Sequence, residues 1–140
     1  MRFASHLAQM VLVDPGLVTQ EGFRGCQAGV AQGYIIPEGW VTPCVMLPIS
    51  VGNVHTQPFS VIWDTSEVVQ TLRDRSQLRG RCISCPFLYH CGGCRGVAFS
   101  YTGDYLADDP HCWHALSGPY HPNSDKDSMA ILRQTGEEEV

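Results

Sequence analysis

The chain has 140 residues, 44% of them apolar and only 16% charged, the make-up of one globular domain near the size where bound metal commonly supplements the core. Nine Lys and Arg against fourteen Asp and Glu leave a net charge of −5, which excludes a basic groove for nucleic acid. No apolar run approaches the ~20 residues of a membrane span and Met1-Arg2-Phe3-Ala4 does not open a secretory signal, so a cytoplasmic protein with no membrane partner is expected.

Taken in chain order, residues 4–13 carry a weak helical pattern at Leu7, Met10, Val11 and Val13, halted by Asp14-Pro15-Gly16. Residues 1–21 read as the remnant of, or a linker from, an upstream domain. Gly22 to Gly29 is a glycine-rich loop holding Cys26. Tyr34-Ile35-Ile36 and Trp40-Val41-Thr42, separated by Pro37-Glu38-Gly39, form a hairpin candidate with Cys44 just past its return strand. Val45 to Val54, broken by Pro48 and Gly52-Asn53, reads as an irregular connection with a second turn. From Thr65 or Ser66 to about Arg75, apolar Val68, Val69 and Leu72 predict a helix, with Ser66 or Asp64 as its cap. Gly80 ends it.

The stretch from Cys82 to Cys94 is too aperiodic for regular structure and reads as a metal loop; Gly96 to Tyr101 predicts a short helix closed by Gly103-Asp104. Asp108-Asp109-Pro110 then leads into Cys112. Residues 115–140 have the polar, acidic composition of a flexible tail, and 22–114 is the domain proper.

Seven cysteines dominate the chemistry, four of them within thirteen residues as Cys82-x2-Cys85 and Cys91-x2-Cys94. An odd count in a reducing compartment argues for metal ligands over disulfides. Two residues between thiolates suits either zinc or an iron–sulfur cluster. Four thiolates complete one site and three remain, so two sites are implied, one of them open to a ligand other than cysteine.

The run Gly25-Cys26-Gln27-Ala28-Gly29, the element Gly39-Trp40-Val41-Thr42-Pro43-Cys44, Gly52-Asn53-Val54, Cys82-x2-Cys85-x5-Cys91-Gly92-Gly93-Cys94-Arg95 and Asp109-Pro110-His111-Cys112 together resemble the SPASM domain, over about residues 22–113. That domain is the C-terminal extension of radical S-adenosylmethionine (SAM) enzymes. The resemblance implies two auxiliary [4Fe–4S] clusters, with Cys26, Cys44 and Cys94 on the first and Cys82, Cys85, Cys91 and Cys112 on the second. It makes the loop 82–94 common to both. It also implies a small, loop-rich, metal-stabilised α+β fold, in which the hairpin and short helices surround the clusters.

One departure is that Cys91 and Cys94 have two residues between them where the family often has three. A second is that the radical-generating Cys-x3-Cys-x2-Cys is absent from the 140 residues. A radical SAM core, upstream in the same protein or on a separate chain, is therefore expected to bind S-adenosylmethionine and do the chemistry, with a peptide or cofactor precursor as substrate and a ferredoxin or flavodoxin as electron donor. Alone, the chain is expected to be catalytically incompetent.

Plainer readings stand beside these. A structural zinc module is the alternative for the cysteine loop, and buried free thiols the alternative for Cys26 and Cys44. His90, His111 and His114 read as neighbours of the ligands, not ligands. Trp40, Trp63 and Trp113 read as core or shielding residues, with Phe87, Tyr89, Phe99, Tyr101 and Tyr105 packed around the loop. Asp104, Asp108 and Asp109 read as turn formers, and Arg73, Arg75, Arg79 and Arg81 as a solvated basic face.

Overall fold

Pro37 is pre-set for the second position of a type I turn, and Gly39, at φ +84°, supplies the left-handed residue that lets a right-twisted hairpin close. The Gly39 N–H donates to the Ile36 carbonyl at 2.9 Å, and the expected hairpin forms from β1 (Tyr34–Ile35) and β2 (Trp40–Thr42). A computed structural model of the chain describes residues 6–112 and 114, with the backbone alone for residues 6–9. The expectations for Trp113 and for the tail 115–140 lie outside the described residues.

β2 takes a second antiparallel partner, β3 (Gly52–Asn53), giving the order β1-β2-β3 with Val41 opposite both Ile35 and Gly52. Strand alternation turns Val41 fully inward and its neighbours out, so Trp40 is 47% exposed rather than part of the core.

Two helices follow where one was expected. α2 (Phe59–Thr65) buries Ile62, and its Trp63 stacks on Phe59 at 5.2 Å with the Arg73 guanidinium over the ring at 5.6 Å. α3 (Glu67–Arg73) starts where Ser66 accepts from the Val69 N–H at 3.4 Å, and it buries Val69 and Leu72. Ser66→Ala is expected to cost about 0.5–1 kcal/mol in denaturant unfolding, the usual value of a capping hydroxyl.

Asp74 stops α3 two residues early by capping a 3₁₀ turn, its carboxylate accepting from the Ser76 N–H and hydroxyl at 3.0 and 2.6 Å. This breaks up the expected solvated face of arginines. Arg79 and Arg81 pair with Asp104 and Asp108 at 2.7 Å near the surface, but Arg75 is drawn inside and is 2% exposed.

The last helix, α4 (Arg95–Thr102), buries Val97 and Ala98 and ends at Gly103 in the left-handed conformation, φ +74°. The N-terminal helix α1 (His6–Val13) sets buried Val11 beside Cys91, with Leu17, Phe23 and Phe87 around them. The result is a small α+β fold in which a three-stranded sheet and short helices hold long stretches of turn. Among the described residues no helix is long and apolar enough to cross a membrane.

Candidate metal centre

Between Gly80 and Cys94 the chain advances by tight turns: Cys85 N–H to the Cys82 carbonyl at 3.1 Å, Leu88 to Cys85 at 3.1 Å, Cys91 to Phe87 at 2.8 Å. Each turn brings a cysteine back to the same side. Cys82, Cys85 and Cys91, joined by Cys112 from beyond α4, line one cavity of about 210 Å³ together with Phe87, Leu88, Asp109 and His114. Cys112 is held there by its own N–H donating to the Asp109 carbonyl at 3.1 Å.

Gly92 and Gly93 then take consecutive left-handed conformations, φ +70° and +58°, and reverse the chain. Cys94 accordingly faces away from Cys91's neighbours. The thiols that act electrostatically on Cys91 are Cys112, Cys82 and Cys85, whereas Cys26 acts on both Cys94 and Cys44. Seven cysteines thus fall into two groups, Cys82/Cys85/Cys91/Cys112 and Cys26/Cys44/Cys94.

Two links tie the groups together. The Cys26 N–H donates to the Cys91 carbonyl at 3.1 Å. Fully buried Asp109 accepts the Cys94 N–H on one carboxylate oxygen at 2.8 Å and the His111 N–H on the other at 2.9 Å, while its own N–H faces the Cys82 sulfur. Asp109 is thus the turn former expected from sequence and also a connector between the groups.

Residues 26–86 match the family model for SPASM, described as an iron–sulfur cluster-binding domain. The chain carries a SPASM domain. The matched residues hold Cys26, Cys44, Cys82 and Cys85. Among curated proteins the chain is 42% identical over 89 residues to an AdoMet-dependent heme synthase of Methanosarcina barkeri, covering 64% of this chain and 26% of that protein. It is 38% identical over 89 residues to an AdoMet-dependent heme synthase of Nitratidesulfovibrio vulgaris, covering 64% and 24%. A PqqA peptide cyclase of Streptomyces rochei is 36% identical over 89 residues, covering 60% and 24%. The chain thus spans about a quarter of the length of these relatives.

The side chains of this SPASM domain fit an iron–sulfur group on three counts. First, Cys82, Cys85, Cys91 and Cys112 bring four soft thiol donors around one cavity of about 210 Å³. Second, sulfurs receive backbone N–H groups: Gly93 to Cys91 at 3.4 Å and Met46 to Cys44 at 3.5 Å, with Gly96 and Val97 at the start of α4 facing Cys94. Such bonds support thiolate and sulfide charge. Third, burial pushes the thiols up, Cys91 to about 12 and Cys94 to about 11, with Cys44 and Cys82 raised as well. Without a positive partner these sulfurs keep their protons; a bound metal centre supplies that partner.

The remaining sequence expectations divide. Phe87 lines the cavity and His114 stacks against it edge-on at 5.4 Å, while His111 is bonded to the Tyr101 hydroxyl at 3.0 Å. Tyr89, expected to shield the loop, points outward and is 59% exposed. Arg75 was not legible as a site neighbour, since a run of arginines carries no mark of burial. Arg95 was visible only as the residue after Cys94; it is 1% exposed and its Nη1 donates to the Tyr105 and Ala107 carbonyls at 3.0 and 2.6 Å.

Proposed function

We propose that the chain is the auxiliary-cluster domain of a radical SAM enzyme, holding two [4Fe–4S] clusters. Cys82, Cys85, Cys91 and Cys112 are the ligands of one, and Cys26, Cys44 and Cys94 of the other. The observation that carries this reading is the division of seven thiols into a group of four around one cavity and a group of three, joined by the loop 82–94.

When bound, such clusters pass electrons or hold a substrate atom at an iron that lacks a protein ligand. The chain's residues set the conditions for this. Phe87 and Leu88 give the four-cysteine cavity apolar walls, which favours electron transfer there. The three-cysteine group leaves a position for a substrate atom or a non-cysteine ligand. The S-adenosylmethionine chemistry belongs to a core in the same protein or on a partner chain, acting on a peptide or a cofactor precursor, with electrons from a donor of the ferredoxin or flavodoxin kind. The names of the relatives, heme synthase and peptide cyclase, support that range of substrates.

Metal and sulfide analysis of anaerobically reconstituted protein tests the reading. The expected result is a brown protein with about eight irons and as many sulfides per chain. One or two zincs with no sulfide would instead establish a structural zinc module. Mössbauer spectra with every iron at both sites in equivalent thiolate ligation would exclude the open position in the three-cysteine group.

A further inference from the structure

Arg75 is the one member of its arginine run that the fold encloses. It follows Asp74, whose carboxylate caps the 3₁₀ turn, and from there its side chain passes into the junction of the two cysteine groups. Nη2 donates to the Cys26 carbonyl at 2.6 Å and to the Arg24 carbonyl at 3.2 Å. Nη1 lies against Gly92, where any Cβ would run into the guanidinium. The cation is therefore wedged between Cys26 of one group and the residue after Cys91 of the other.

Its Nε is buried without a hydrogen-bond partner, and among the described residues no carboxylate forms an ion pair with it. A buried cation left in this state is costly unless negative charge lies close by. Burial opposes its charge most, and Arg24 and Arg95 oppose it too; Cys26 and Cys91, one from each group, favour it.

We propose that Arg75 is a counter-charge shared by the two cysteine groups, easing the uptake of an electron at each. The inference rests on the iron–sulfur reading above. Reduction adds one electron from an external one-electron donor, with no bond made and no proton moved. The site becomes more negative by one charge, and a fixed cation in a poorly solvated junction stabilises the reduced state more than the oxidised one. Arginine suits the role because its planar fork bonds the Cys26 and Arg24 carbonyls while the guanidinium carries the charge. Arg75 is a positioning and tuning residue; it touches no reacting atom.

The test uses the full chain reconstituted anaerobically, with iron and sulfide counted first. Dithionite titration followed by electron paramagnetic resonance then gives the potentials. Arg75→Gln removes the charge but keeps an amide donor for the Cys26 carbonyl; Arg75→Lys keeps the charge and loses the planar fork. Both variants are expected to load. The glutamine variant's potentials should fall by at least a tenfold change in the reduction equilibrium, about 59 mV for one electron, and the lysine variant's by less than half of that. Unchanged potentials in a loaded glutamine variant, or equal shifts in both variants, would overturn the proposal. So would a wild type that loads while neither variant does, since Arg75 would then be a brace for the fold. A wild type with no iron or sulfide would remove the iron–sulfur reading itself.

Discussion

Gly25→Ala will destabilise the loaded fold by about 3 kcal/mol and strip iron from both cysteine groups. Gly25 sits at φ +62°, and a Cβ there would stand 2.5 Å from the Cys91 carbonyl oxygen, 2.7 Å from that of His90 and 2.9 Å from the Cys91 Cα. All three are backbone atoms, so no side chain can swing aside. The left-handed conformation alone costs a residue with a Cβ about 1–2 kcal/mol, and forcing extra volume into a packed contact about 1–3 more. What gives way is the seam between the groups, because the next residue's N–H makes the 3.1 Å bond to the Cys91 carbonyl. Gly22→Ala is the matched control: φ is +80°, yet nothing lies within 4 Å of the added carbon, so about 1 kcal/mol and full iron are expected. Anaerobic denaturant unfolding and iron counts on both variants measure this, and equal losses would refute the seam.

Local signals account for the parts of the fold that were readable. Pro37 and Gly39 define a turn whatever surrounds them, and Ser66 marks the start of α3 by a bond made within three residues. α2 was hidden because Phe59, Val61, Ile62 and Trp63 favour strands; packing of Ile62 against Gly52 and of Trp63 against Gly33 overrides that preference. β3 was hidden for the opposite reason. Gly52-Asn53 has turn composition, and only the pairing with β2 makes it a strand.

The site shows the same division. Spacing alone pairs Cys91 with Cys94, whereas in the fold Gly92 and Gly93 turn them to different groups; that division came from the family resemblance, and the double glycine is its local trace. Nothing local marks Arg75, whose burial depends on Asp74 ending the helix and on Gly92, far along the chain, leaving room for its guanidinium.

Stripping the metal will open residues 82–112 and leave the sheet with α2 and α3 folded. The sheet and those helices bury Val41, Ile62, Val69 and Leu72, whereas the chain from Cys82 to Cys94 is a run of turns whose buried members are only Cys91, Gly92, Gly93 and Cys94. Hydrogen exchange after chelation should therefore lose protection at Cys91, Cys94 and Cys112 and keep it at Val41 and Val69. In the closed fold burial raises Cys91 to about 12 and Cys94 to about 11, against about 8.5 for a thiol in an unfolded chain. In the loaded protein the ligating sulfurs carry no proton, so higher pH removes the competitor for the metal. Melting the loaded form at about pH 8 and pH 10 should show no loss of stability, and a decline would mean that these thiols are not the ligands.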